Sequence, residues 1–447
     1  MNDMPPNGII LSGMHSSGGK TAVTCMLLSA FAKRGVAAQP FKVGPDFIDP
    51  SYHAEYAGVP SRNLDPWLMG TEGVVKEAAT FTAGKIGLAE GVMGLFDGSD
   101  ARSDKGSTME LARSLNWPIV LVVPSAKSGR SLAVALRGFL EEAGPGRVAG
   151  VILNEVGGSS HAEYLRQAIE PLNLPVLGAI PRCDELEWPE RHLGLQASQE
   201  RSLPSAEALA QIAEKYLDIA RILSLAVPAP LVENTISVLV PKLRIGVARD
   251  TAFHFYYEAN LDYLRHNGAE LVEFSPINDP VIPSGLDALL FGGGFPEVFA
   301  DALSQNQSMR SEIRSAIQAG MPCYAECGGL MMLSEELISL DGKLYPMAGV
   351  IPGGVKMTRK LNHFGYCVAS GRADNPEAKY HGHEFHYSRW QLESEQANLW
   401  HVRRPRHGSS RNEGYSVHNL HASYVHLHFS TSSSAVGHLL NSTKKDL

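Results

Sequence analysis

The chain has 447 residues, 44% hydrophobic and 19% charged, an ordinary globular composition with ample sequence for sizeable cores. Its 39 basic and 47 acidic residues give a net charge of −8, which argues against general attraction to nucleic acid or to an anionic membrane. Five cysteines without a Cys-x-x-Cys pair argue for a reducing compartment rather than a disulfide framework. Met1-Asn2-Asp3-Met4-Pro5-Pro6 lacks the basic and apolar stretches of a signal peptide, and the best apolar run, 119–123, is far too short to span a bilayer. The expectation is a cytoplasmic protein.

Residues 8–181 alternate short apolar runs with amphipathic stretches. The runs, at 8–12, 39–43, 86–90, 119–123, 148–153 and 175–180, are rich in Val, Ile and Leu, as strands buried on both faces of a parallel sheet should be. The first helix is predicted from Val23, Met26, Leu27, Ala30 and Phe31 on one face, with Lys33 and Arg34 at its end and Gly35 stopping it. One further helix is expected over 203–225. Prolines 228, 230 and 241 then mark an extended connector. The expected organisation is a first domain over 1–225, a linker over 226–243 and a second domain over 244–447.

The second alternation predicts strands at 244–248, 270–274, 288–291 and 322–326, and helices near 258–267, 298–319 and 330–340. Beyond 340, Gly, Pro, His and aromatic residues increase and clear helices become fewer.

Gly13-Met14-His15-Ser16-Ser17-Gly18-Gly19-Lys20-Thr21 lies between the first strand and the first helix. Such a loop turns backbone N–H groups toward a phosphate at a helix N-terminus; Lys20 would reach the terminal phosphates and Thr21 a magnesium ion. The strict P-loop spacing fails, because Gly13 sits one residue early. Asp46 and Asp49 follow the second strand, Glu90 closes the strand 86–90, and Asp97 lies on the loop after it. The C-terminal edge of an open parallel sheet is where ligands bind. One carboxylate alone would be a cap or turn residue; four at one edge point to chemistry.

Tyr324-Ala325-Glu326-Cys327-Gly328-Gly329 joins a strand to a helix, the setting of a nucleophile elbow with an activated thiol. Gly292-Gly293-Gly294 follows the strand 288–291 and suits an oxyanion hole formed by Gly293 and Gly328. A base is needed, and the last strand offers His426 and His428, which alternation places on one side. The residues alone do not choose between them.

These motifs, with Lys42-Val43-Gly44-Pro45-Asp46-Phe47-Ile48-Asp49-Pro50, Glu90 to Gly98, Gly382 to Ser388 and Ala422 to Phe429, make the chain similar to the cobyrinate a,c-diamide synthase family over nearly its full length. The resemblance implies an α/β protein: an N-terminal P-loop, dethiobiotin-synthetase-like domain with a parallel sheet, and a C-terminal class I glutamine amidotransferase domain. It implies ATP and glutamine as co-substrates, Mg2+ as cofactor, and amidation of the a and c acetates of a corrinoid in cobalamin biosynthesis. Cys327 and His426 are the implied catalytic pair. Gly13, Ser17, Gly18, Gly19, Lys20, Thr21 and Asn154 are expected at the nucleotide; Thr21, Asp46 and Glu90 at the metal; Lys42, Asp46, Asp49, Glu90 and Asp97 at substrate activation. The partner is a tetrapyrrole polycarboxylate and, at most, a second copy in a homodimer; no nucleic acid and no membrane are expected.

Two departures stand out. Met14, Ser17 and Gly18 occupy positions where the family's loop usually carries Thr, Gly and Val. Many class I glutaminases carry Glu two residues after the histidine; here that residue is His428, so a Cys–His dyad is expected. Ten of the 17 histidines fall in 381–438, but His381, His383 and His386 belong to a family motif without a structural metal. Lys356, Arg359 and Lys360 read as a solvated face as readily as a contact for a polycarboxylate. Hydrogenobyrinate, nickel-sirohydrochlorin and siroheme are alternative substrates for the same chemistry. A non-catalytic P-loop partitioning or regulatory protein is the alternative of another class.

Overall fold

The computed structural model describes residues 7–183, 203–228, 242–371, 377–391, 396–405 and 408–441. The chain divides into two compact units, Met1–Asn234 and Thr235–Leu447. Among the described residues no helix is long and apolar enough to cross a membrane.

The first unit is built on strands β1 (Asn7–Gly13), β2 (Ala38–Val43), β3 (Arg62–Leu64), β4 (Ile86–Glu90), β5 (Ile119–Pro124), β6 (Val148–Val156) and β7 (Val176–Pro181). They form a parallel sheet in the order β3-β2-β4-β1-β5-β6-β7. Ile9, Ile10, Leu11, Val120, Leu121, Val122 and Ile152 are fully buried, which is why these strands read as continuous apolar runs. The register sets Leu11 and Lys42 on either side of Glu90, so the ends of β1, β2 and β4 lie in one row. The loops leaving that row carry the candidate phosphate and carboxylate residues.

Several expectations are corrected. The first helix, Lys20–Lys33, is buried on nearly all sides rather than on one face, because the helices Asp49–Ala57 and Ala206–Tyr216 pack against it as well as the sheet. The helix expected over 203–225 is two, Ala206–Tyr216 and Ile219–Ser224. Leu217 turns extended between them, bridging Gly178, and the Asp218 side chain caps the second at Arg221. In the expected connector, Val227–Pro228 (β8) pairs antiparallel with the start of β1; residues 229–241 lie outside those described.

The second unit has a mixed sheet in the order Ala269–Phe274, Leu243–Ala248, Ala288–Phe291, Cys323–Glu326, Leu420–Ser423 and Tyr415–Val417, parallel except for the last pairing. A five-stranded antiparallel sheet stands beside it, in the order Ser410–Glu413, Trp400–Arg403, His363–Gly371, Lys379–His386 and His426–Leu427.

Here too the chain breaks elements that periodicity joined. The helix expected at 298–319 is Ala300–Gln305 and Gln307–Gln318, separated by Asn306, whose side chain caps the second at Met309. The helix expected at 330–340 is only Gly328–Leu333; Ser334 is extended and Glu336–Ile338 is a strand. The expected last strand belongs to two sheets: Leu420–Ser423 ends beside Glu326, and His426–Leu427 crosses to pair with Lys379–His386. Alternation across 422–429 therefore does not hold.

Candidate functional site

The sheet edge of the first unit gathers the phosphate-loop residues with a group of buried charges. Gly19 has φ +84, and a Cβ there would lie 2.1 Å from the Asn154 side-chain nitrogen. Only glycine combines that backbone with that close approach. Asn154, in β6, donates to the Gly18 carbonyl at 3.2 Å, so it braces the loop. Ser17 also has a left-handed φ, +59. Gly13 lies where a Cβ would sit 3.2 Å from the Lys20 side chain. The Lys20 ammonium donates to the carbonyls of His15 at 3.0 Å and Met93 at 2.7 Å. Burial holds its pKa below the usual lysine range, with Lys42 adding to the effect and Glu90, Asp49 and Asp97 opposing it.

Thr21 donates through Oγ1 to Glu90 at 2.8 Å. The same Glu90 oxygen accepts from Lys42 Nζ at 2.9 Å, while its other oxygen meets His53 Nε2 at 2.6 Å. Lys42 also meets Asp49 at 2.6 Å. Lys42, Asp49, Glu90 and His53 are all buried. Burial alone would drive Lys42 down and Glu90 up, but the attraction between opposite charges wins. Lys42 is held well above its ordinary range by Asp49 and Glu90, and Glu90 well below its own by Lys42 and His53.

Asp46 lies on the loop between β2 and the helix Asp49–Ala57. Its Oδ1 accepts from the backbone of Ile48 at 2.8 Å and Asp49 at 3.1 Å, starting the helix Asp49–Ala57, while its charge reaches Lys42. Asp97 accepts from Gly94 N–H at 2.8 Å and so shapes the turn after β4. His53, absent from the sequence expectations, is the addition. It is one histidine on a short helix; Ser61 meets its Nδ1 at 3.3 Å, and the tertiary approach of β4 brings Glu90 to its Nε2.

In the second unit, Cys327 follows the strand Cys323–Glu326 with φ +49 and ψ −100, outside the regions favoured by a non-glycine residue. Such a conformation costs on the order of 1–3 kcal/mol and persists only when its surroundings fix it. The Cys327 N–H donates to Ser423 O at 2.7 Å, and Cys327 O accepts from Met331 N–H at 3.1 Å. Gly329 tucks beneath the turn: a Cβ there would fall 2.6 Å from Phe291. The Gly293–Gly294 segment runs alongside, with Gly294 N 3.0 Å from where a Gly328 Cβ would stand. Tyr256 fixes this segment by accepting from Gly292 N–H at 2.8 Å.

His426 is the imidazole that the fold brings to Cys327, through a side-chain hydrogen bond. Burial lowers its pKa, but Cys327 and Glu326 outweigh burial and push it up to about 10. His426 Nδ1 lies 3.1 Å from Glu326 Oε2. The other Glu326 oxygen accepts from Leu427 N–H at 3.1 Å and Tyr324 OH at 2.9 Å. His383 stacks on His426 with ring centroids 4.9 Å apart and joins Tyr257 OH at 2.6 Å. His428 Nδ1 instead meets Ser430 at 2.8 Å. His386 stacks on Tyr424 with centroids 3.9 Å apart. The helix after Cys327 has six residues, so the imidazole rather than a long helix dipole is the main partner of the thiol.

A phosphate loop on a parallel sheet, with a thiol–imidazole pair on a second α/β unit, defines a glutamine amidotransferase joined to a nucleotide-binding domain. Residues 9–195 match the CobQ/CobB/MinD/ParA nucleotide binding domain, and residues 244–434 the CobB/CobQ-like glutamine amidotransferase domain. The chain belongs to the cobyrinate a,c-diamide synthase family. It is 40% identical to the cobyrinate a,c-diamide synthase of Priestia megaterium, over 96% of this chain and 95% of that protein. It is 41% identical to that of Syntrophotalea carbinolica, over 95% of each. It is 38% identical to that of Listeria monocytogenes, over 98% of this chain and all of that protein. The protein is a glutamine-dependent amide-forming ligase.

Proposed function

We propose that this protein converts the a and c acetate carboxylates of cobyrinate into amides, with ATP activating each carboxylate and glutamine supplying the nitrogen. The observation that carries this reading is the near full-length identity with relatives bearing that activity in their name.

At the first site, the substrate carboxylate attacks the terminal phosphate of ATP, breaks its bond to ADP, which leaves, and becomes an acyl phosphate. Lys20 and the loop N–H groups hold the phosphates, and Lys42 with its carboxylate partners fixes the electrostatics of the edge. Thr21 and Glu90 present hard oxygens at one point, a donor set that suits magnesium taking its other ligands from phosphate and water. When bound, that ion would neutralise charge developing on the phosphates. Asp46 and Asp97 shape the loops around the acceptor carboxylate.

At the second site, His426 takes the Cys327 proton and the thiolate attacks the glutamine side-chain carbonyl. The N–H groups of Gly293 and Gly328 receive the oxyanion. The amide nitrogen leaves as ammonia with a proton from His426, and water then hydrolyses the thioester to glutamate. Ammonia displaces phosphate from the acyl phosphate to complete the amide.

The test is to give the purified protein ATP, magnesium and glutamine with cobyrinate, hydrogenobyrinate, nickel-sirohydrochlorin or siroheme. Products are followed by mass, each carboxylate-to-amide conversion lowering it by about one unit as OH is replaced by NH2. Two successive losses on cobyrinate are expected. Rapid double amidation of another tetrapyrrole with cobyrinate untouched would reassign the substrate.

A further inference from the structure

We infer that Glu326, the residue immediately before the nucleophile, orients His426 and so supplies the carboxylate that the position two residues after the histidine lacks. The inference rests on the assignment of Cys327 and His426 above. Residue 428 is histidine, and its Nδ1 is turned to Ser430, so it does not serve as that carboxylate. Glu326 Oε2 instead lies 3.1 Å from His426 Nδ1.

Neighbours on a strand ordinarily point to opposite faces, so Glu326 and Cys327 should not address one ring. The positive φ of Cys327 breaks that alternation. The elbow turns the thiol toward the imidazole already held by the preceding carboxylate. Glu326 is itself fixed at Oε1, by Leu427 N–H and Tyr324 OH. Leu427 directly follows His426, so one carboxylate sets both the strand carrying the imidazole and the tilt of its ring.

The proton arrangement follows from the acceptor. An ionised carboxylate accepts only, so His426 keeps a proton on Nδ1 and offers Nε2 to the thiol. The Cys327 proton passes to Nε2, and the resulting imidazolium lies between thiolate and carboxylate. Among the described residues, His383 stacks on its face and is held neutral chiefly by burial, with Tyr257 behind that ring and Tyr324 and Tyr256 near Glu326. None of these carries a second negative charge to the ring. Glu326 is therefore a positioning residue; it acts on glutamine hydrolysis through His426.

Glu326→Gln in the full-length protein tests this. Its amide oxygen can still accept from Leu427, which turns the NH2 toward Nδ1 and favours the wrong tautomer. Glutamine hydrolysis should lose about 10²–10⁴-fold in kcat, as when an orienting carboxylate is replaced by its amide elsewhere. KM should change only a few-fold. The pH dependence of glutamine hydrolysis should change with the tautomer of His426, a change that loss of packing alone would not give. Glu326→Asp should recover part of the rate. If Glu326→Gln fails to fold, ¹⁵N-histidine spectra of the wild-type protein decide, with His426 identified by its loss in His426→Gln. A protonated Nδ1 is expected, and a neutral ring protonated only at Nε2 overturns the inference. Wild-type kcat and pH dependence of glutamine hydrolysis in folded Glu326→Gln overturn it as well. His426→Ala separates the levels: if it still hydrolyses glutamine, the pairing of Cys327 with His426 is wrong, whereas an inactive His426→Ala beside a wild-type Glu326→Gln removes only the role of Glu326.

Discussion

The two sites solve different chemical problems with different materials. The edge of the first unit is a group of buried full charges, with Lys42 between Asp49 and Glu90, and His53 and Thr21 completing the shell of Glu90. The second site is organised by backbone: a cysteine at positive φ, a glycine segment beside it and one oriented imidazole. Phosphoryl transfer moves charge among phosphate oxygens, so fixed charges are the effective tool. Acyl transfer to a thiol develops charge on one oxygen, and precise N–H groups suffice. The first site should therefore be sensitive to changes of charge, and the second to changes of shape and proton placement.

The largest effect expected from breaking this contrast is at Lys20. Lys20→Ala should reduce both glutamine-driven and ammonia-driven synthesis by at least about 10²–10³-fold, since both require the acyl phosphate. Product mass with each nitrogen source is the readout; ammonia-driven synthesis at wild-type rate would remove Lys20 from the phosphate site. Next comes His426→Ala, expected to lower glutamine hydrolysis by about 10²–10⁴-fold while ammonia-driven synthesis continues. His428→Ala should be much milder, because that ring turns to Ser430. A greater loss at His428 in a thioester-trapping assay would exchange the two roles.

Stability distinguishes the units further. Lys42→Met leaves Asp49 and Glu90 buried without their cation, and should cost about 3–5 kcal/mol in urea unfolding of the first unit. A loss below 1 kcal/mol would show that the network is far better solvated than its geometry indicates. Acid offers a gentler probe of the same charges. Glu90 is held below its ordinary range, so the stability it contributes is present above the unfolded carboxylate pKa of roughly 4.3 and is lost as pH falls below it. Unfolding midpoints measured between pH 7 and 3 should decline mainly below that point. A decline complete before pH 5 would assign it to other groups.

Legibility in the sequence followed the same division. Chain-local features were readable: the glycine-rich loop before Lys20, the elbow around Cys327, and the near-continuous apolar strands of the first sheet. Tertiary approaches were not. His53 meets Glu90 across 37 positions, and nothing in its own helix announces that partner. Glu326 was hidden for a sharper reason, since alternation places it opposite its neighbour and only the strained elbow reverses that. The run from Ala422 to Phe429 looked like one strand because its apolar and polar residues alternate, whereas the chain changes sheets after Ser423. The helices expected at 203–225 and 298–319 were overextended because Asp218 and Asn306 act as caps inside otherwise continuous patterns.

The separation of nitrogen release from carboxylate activation is tested most directly by Cys327→Ala, assayed for ATP-dependent mass change of cobyrinate with glutamine and, in parallel, with an ammonium salt. The expected result is no detectable amidation from glutamine and near wild-type amidation from ammonium, because only glutamine hydrolysis needs the thiol. Amidation from glutamine at close to the wild-type rate would contradict it.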